Sequence, residues 1–363
     1  MPTIQTANYD FAWKLRLFLS VDLIGSTAYK HQIGDADWCV TFLDFYRDYP
    51  YRVKQAYTKL PDWATSFLDT SETKIPVPRL WKLLGDEILF FVELSDYRET
   101  VAHLAAFRTV LADYNALLAS RPLKPGVPKL ACKGTAWIAG FPVNNFEARF
   151  SQSDSSTQGN SEAQTVQDTL EQIDFLGRSI DCGFRLGKFA SRRKLVLSVD
   201  LVLMMAAAIE RLPHDKHVEC CDNLVLRFDD KHSLKGVLNN APYPIFWIDA
   251  DGTEENLEDK WLGRPTVPCE PKKVREYCGE YIQKTDGLIR PFIHKDGGEC
   301  FAEIPKEIEH KRKLLVDRLT KPAEPEQEEE TNTVDVLNEL FKEAIQQMAR
   351  KRSKHKESED SSE

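Results

Sequence analysis

The sequence predicts an α/β sandwich, a mixed β-sheet carrying helices, with a small C-terminal extension. Three observations point there. Short apolar runs of period two recur through the first 250 residues, and helical-period stretches alternate with them. A chain of 363 residues, 42% hydrophobic and 29% charged, has the balance of a globular protein and the length of about two domains.

The first strand is LRLFLSVDL, Leu15 to Leu23. Leu15, Leu17, Leu19 and Val21 take one face; Arg16, Phe18, Ser20 and Asp22 take the other. A Gly25-Ser26-Thr27 turn follows, then an aromatic-rich helical stretch to about Tyr57. Pro61, Pro76 and Pro78 mark a connection. Arg79 to Glu93 places apolar runs on both sides of Gly85-Asp86, the pattern of a β-hairpin with a tight turn. Val101, Leu104, Ala105, Arg108 and Leu111 then recur at helical spacing, and a strand runs from about Lys129 to Ile138.

Residues 151–168 are polar and read as a mobile insertion in a domain spanning 11–250. Order returns at Ile173. Leu195 to Val199 reads as a strand, Asp200 to Arg211 as a helix, and Leu224 to Phe228 and Pro244 to Ile248 as closing strands. The order β-α-β-β-α-β followed by a further αβ pair predicts a ferredoxin-like centre. Residues 255–320 form the extension. Residues 321–363 read as a charged linker, an amphipathic helix over Leu337 to Met348, and a disordered tail.

The formal net charge of −9 argues against a nucleic-acid surface, which is usually basic. No secretion signal opens the sequence, and no apolar run is long enough to span a membrane. The eight cysteines form no CxxC pair, so the expectation is free thiols in a reducing cytoplasm. His214, His217, Cys220 and Cys221 lie close in sequence, but adjacent cysteines rarely ligate one tetrahedral zinc.

Two carboxylates carry the chemistry. Asp22 sits where its strand runs out, beside backbone N–H groups of Gly25, Ser26 and Thr27 that can face an anion. Asp86 sits at the hairpin tip. If the two strands are neighbours, both carboxylates can hold a pair of divalent cations, which would neutralise a triphosphate and activate a hydroxyl.

Together these segments resemble a family. FLSVDLIGST is similar to the first strand of class III adenylyl and guanylyl cyclases, and KLLGDEILFF to their hairpin. DFLGRSIDCGFRL places Asp174, Gly177, Asp181 and Arg185 at the spacing of a third family motif, and SLKGVLNN, with Lys235, resembles the closing segment. The resemblance covers about residues 11 to 250. It implies a class III cyclase homology domain in which Asp22, Asp86 and the Leu23 carbonyl hold two Mn2+ or Mg2+ ions. It implies that Arg185 stabilises charge on the α-phosphate, that Lys235 contacts phosphate, and that Lys82 and Asp174 bind the base. The family's asparagine at the ribose is Asp181 here, a departure that puts that contact in question. The family shares each site between protomers, which implies a head-to-tail homodimer.

The early first strand, polar insertion and C-terminal extension look most like the pyrimidine cyclases of bacterial Pycsar antiphage systems. That resemblance implies UTP as substrate, cUMP as product and a separate effector that responds to it. A cytidylate cyclase making cCMP and a soluble adenylate cyclase are the alternatives within the class. A catalytically silent nucleotide-binding or dimerisation module is the alternative outside it. A diguanylate cyclase would need a second glycine before Asp86.

Overall fold

The computed structural model describes residues 11–32, 37–67, 74–121, 127–151, 171–250, 269–294 and 300–320. The chain divides into two compact units, residues 1–312 and 313–363. Of the second unit only residues 313–320 are described, so the linker, amphipathic helix and tail expected over 321–363 lie outside the described residues. The same holds for most of the polar insertion, because 152–170 are not described.

Strand β1 (Lys14–Ile24) lies inside a seven-stranded sheet. Helices α1 (Ser26–Gln32), α2 (Asp37–Ala56) and α3 (Asp62–Thr65) lead to the hairpin β2 (Arg79–Leu84) and β3 (Glu87–Leu94). Helix α4 (Glu99–Ser120) returns to β4 (Ala131–Phe141). These four strands lie in the order β2-β3-β1-β4, every neighbour antiparallel. That is the ferredoxin-like centre expected from the element order. It is the order two right-handed crossovers produce when each skips one strand position.

The sheet continues through β7 (Lys194–Leu197), parallel to β4, then β9 (Pro242–Asp249) and β8 (Leu226–Ser233). This parallel pair makes the sheet mixed. Helix α6 (Val199–Ile209) is almost wholly buried between sheet and extension; its run of Leu, Met and Ala leaves no polar face. Helix α8 (Pro271–Lys284) turns Val274, Cys278 and Ile282 into the main core, and α9 (Lys306–Thr320) is the last described helix.

Several elements were not expected, among them the short helix α3 in the proline-marked connection. Strands β5 (Asn145–Ser151) and β6 (Glu171–Gly177) form a separate antiparallel pair at the borders of the polar insertion. The polar residues that mark the insertion mask their alternation. Helix α7 (His214–Asn223) fills the stretch between α6 and β8.

Both faces of β1 are covered. Leu15, Leu17, Leu19 and Val21 join the helical core. On the other face Phe18 packs in an aromatic layer with Phe91, Trp137, Phe141 and Phe175, completed by helix α5 (Arg178–Leu186). The guanidinium of Arg16 is enclosed there, 4.9 Å from the Phe175 ring and 2.5 Å from the Glu147 carboxylate. The polar-looking face of the alternating strand is therefore buried as well along most of its length, with Arg16 stacked on rings and paired and Asp22 half-buried at the strand's end. Gly177 joins β6 to α5 at φ 137°, and a Cβ there would stand 2.4 Å from the Asn144 carbonyl oxygen, so only glycine fits this corner.

Candidate active site

The strand end and the hairpin turn do come together. Asp22 is the cross-strand partner of Glu87, the residue after Asp86. The Leu23 N–H donates to the Asp86 carbonyl at 3.2 Å and ties the turn to the strand. The turn itself, Gly85-Asp86, closes between the paired residues Leu84 and Glu87, with Gly85 at φ 64°. A two-residue turn of that hand favours glycine.

Neighbouring side chains fix the carboxylates. The Ser26 hydroxyl, in the first turn of α1, donates to Asp86, and the Ser20 hydroxyl donates to Glu87. Ser26 is buried and thus positions a carboxylate, while Thr27 is exposed. Gly25 stands at the start of α1, its carbonyl accepting the Tyr29 N–H at 2.9 Å. On β4, Lys133 is the register partner of Asp22, and its ammonium lies 3.1 Å from the Asp22 carboxylate.

Asp22 and Glu87 thus share the charge of Lys133, and Asp86 lies near enough to act on both. Burial pushes the Asp22 carboxyl above its usual range, and the charge of Asp86 pushes the same way, against the hydrogen bond and charge of Lys133. Burial likewise raises Glu87, with Asp22 and Asp86 adding to it and Ser20 and Lys133 opposing. The site gathers more negative charge than its own lysine offsets, as a cation-binding site does. Among the described residues no group of three or more His, Cys, Asp or Glu forms a preformed metal cage. A pair of hard carboxylate oxygens nevertheless fits Mg2+ or Mn2+, which commonly take one or two carboxylates and complete their shell with water and substrate phosphate. The zinc idea has no support, since His217 is hydrogen-bonded to the Ile209 carbonyl and Cys220 is buried in the core.

Lys82 and Asp174, 92 residues apart, meet at 2.6 Å. The Lys82 ammonium also lies 4.3 Å from the Trp81 ring centroid, and Asp174 accepts the Phe175 N–H at 2.8 Å. Asp181 and Arg185 are exposed on α5, and Lys235 is exposed in the turn after β8. Asp181 and the Lys235 turn flank the Lys14–Phe141 end of the β1–β4 pair, whereas Asp22 pairs with Lys133 near its other end. One chain therefore does not gather all the expected residues into one cluster.

Sequence reasoning missed Lys133, Glu87 and Ser20. Lys133 alternates with the buried Cys132 and Gly134, which marks it as a residue of the opposite face, but only the register of β4 on β1 reveals what it meets. Among the described residues no helix is long and apolar enough to cross a membrane.

No protein-family model matches the chain, and no curated protein matches it. Among solved structures it is similar to the adenylyl cyclase CyaB from P. aeruginosa, at 14% identity and TM-score 0.40, over 65% of this chain and 94% of that one. It is also similar to the guanylate cyclase domain of RhGC from Catenaria anguillulae in complex with GTP, at 9% identity and TM-score 0.39, over 65% and 97%. A bacterial light-regulated adenylyl cyclase aligns at 10% identity and TM-score 0.40, over 70% and 100%. At such identities and scores these likenesses say nothing about chemistry, which rests on the residues of the chain itself.

Proposed function

We propose that this protein is a nucleotidyl cyclase that converts a nucleoside triphosphate, UTP by preference, into the 3′,5′-cyclic monophosphate and pyrophosphate. The observation that carries the reading is the junction of Asp22 and Asp86, clamped by the Leu23–Asp86 backbone bond and crowded with negative charge.

Asp22 and Asp86, with the Leu23 carbonyl, would hold the divalent cations. When bound, Mn2+ or Mg2+ supplies an acidified ribose hydroxyl and neutralises charge on the phosphates. In the reaction the 3′ oxygen forms a bond to the α-phosphorus and gives up its proton to solvent, while the bond from that phosphorus to the pyrophosphate oxygen breaks and pyrophosphate leaves with the electron pair. Arg185 places a guanidinium fork against the α-phosphate as charge grows there, and Lys235 adds a point charge for the phosphates. Lys82 and Asp174 present a donor and an acceptor to the base, which suits uracil, cytosine and adenine better than guanine. Asp181 lies one helical turn from Arg185, where it can accept from a ribose hydroxyl.

The separation of Asp22 from Asp181 and Lys235 within one chain supports a site shared between two chains. So does the exposed apolar surface beside Lys82: Leu80, Leu83 and Leu84 on β2 and Leu176 on β6 are each more than 40% exposed. A head-to-tail homodimer would cover this surface and build two equal sites. The preference for UTP, and the use of cUMP to signal to a separate effector in antiphage defence, rest on the resemblance of the motifs to the Pycsar cyclases.

The test is incubation of the purified protein with each of the four nucleoside triphosphates and Mn2+, with products identified by mass. Cyclic UMP as the main product supports the full reading. Cyclic CMP or cyclic AMP retains the cyclase and removes the uracil preference. No cyclic product from any of the four contradicts the reading.

A further inference from the structure

A cavity lies away from the aspartate pair. It encloses about 410 Å³, within the range of small-molecule sites. Its walls come from the start of β1, the end of β4, the first turn of α5, the N-terminus of α6, the turn after β8 and the extension. Lys14 lines it, eight residues along β1 from Asp22, or about 26 Å in an extended strand. Neither Asp22 nor Asp86 reaches it; of the residues assigned to the nucleotide, only Asp181 touches its rim.

Most of the inner wall is apolar, with Leu15, Phe141, Val237, Leu288 and Phe292 facing inward. Into it opens the carboxylate of Asp200. One of its oxygens, Oδ1, accepts the Ser198 hydroxyl and the Leu201 N–H. The Asp200 backbone N–H also faces the carboxylate, and no other donor among the described residues reaches it. Lys14, Arg178 and Arg290 also line the cavity, alongside Asp181 and Asp286, but none of these cations is bonded to Asp200. A carboxylate that faces a mostly apolar cavity with no cation bonded to it is a ready partner for a cation that enters. Burial pushes its pKa up to about 6, so at neutral pH the charge is still mostly present.

The cavity edge is also strained. Leu238, Asn239 and Asn240 all have positive φ, of 49°, 53° and 62°, a left-handed turn that asparagine tolerates but that strains Leu238. It is pinned by Ser233 donating to the Asn240 carbonyl and by the Gly236 N–H donating to the Asn240 side chain. Strain of this kind concentrates where a ligand is held.

We propose that this cavity binds a small organic cation, a ring-sized molecule bearing a protonated amine, with the amine on Asp200 and the carbon framework against the apolar walls. A metal ion would find one carboxylate and a hydroxyl among hydrocarbon, too few ligands for a hard dication. The inference does not depend on the chemistry at Asp22.

The test is saturation-transfer NMR on the full chain with benzylamine, benzyl alcohol and benzoate as probes. Benzylamine is expected to bind, benzyl alcohol at least ~10-fold more weakly, and benzoate not at all. Asp200→Asn should weaken benzylamine by ~10-fold or more. Leu288→Trp, which takes up part of the cavity and keeps the carboxylate, should also weaken binding, with circular dichroism confirming the fold of each variant. Benzoate binding in preference to benzylamine, no binding of benzylamine, or undiminished binding in both variants would overturn the proposal.

Discussion

The Lys133 ammonium lies 3.1 Å from the Asp22 carboxylate, across the β1–β4 pair. It occupies the charge environment that a divalent cation would need. Lys133 competes for Asp22 and repels any dication nearby, so its removal favours metal binding. Lys133→Met is expected to tighten Mn2+ several-fold, read by titration followed with electron paramagnetic resonance. Weaker binding in this variant would show that the lysine helps to build the site.

Asp22→Ala or Asp86→Ala is expected to bring turnover below detection while the protein elutes as wild type on size exclusion. Arg185→Ala should lower kcat by ~10²–10³-fold, the usual loss of a group that stabilises transition-state charge. Mixing Asp22→Ala with Arg185→Ala should restore part of the activity, because one site of the mixed dimer then has every residue intact. No recovery on mixing, with dimers present, would argue for sites built within one chain.

Helix α5 sits close on Trp137 because residue 183 is glycine. A Cβ there would stand 2.2 Å from the indole ring. Gly183→Ala is expected to cost about 1–3 kcal/mol of stability, as overpacking does. It should also lower activity by displacing Arg185 on the same helix. Urea unfolding and turnover read the two effects separately.

His103 sets an acid limit on the fold. It is buried, its Nδ1 lies 2.7 Å from the Tyr57 hydroxyl, and burial pushes its pKa down to about 3. In the unfolded chain it takes a proton near pH 6.5. The unfolded state therefore binds more protons between those values, and stability falls as pH drops from about 6.5 towards 3, by up to ~1.4 kcal/mol per pH unit. His103→Gln should flatten this dependence, seen as a smaller difference in urea midpoint between pH 7 and pH 4.5. An unchanged difference would place the acid sensitivity elsewhere.

Where alternation and turn chemistry are strong, the sequence told the structure well. The β1 run, the Gly85-Asp86 turn and the helix at Val101 to Leu111 all lie where their periods put them. The resemblance singled out Lys82 and Asp174 as base-binding positions, but their contact with each other was not expected. Three features stayed hidden for physical reasons. Strands β5 and β6 are short and border a polar stretch, so their period is drowned. Lys133 acquires its meaning from strand register, which no single segment encodes. The Asp200 cavity is assembled from segments as far apart in sequence as Trp13 and Ile308, and no local pattern anticipates it.

The most direct test of the central claim is a crystal of the protein grown with Mn2+ and 3′-deoxy-UTP, a substrate lacking the attacking hydroxyl. Anomalous scattering is expected to place manganese between the carboxylates of Asp22 and Asp86, against the nucleotide phosphates. Manganese bound elsewhere, with those two carboxylates left to Lys133 and Ser26, would contradict it.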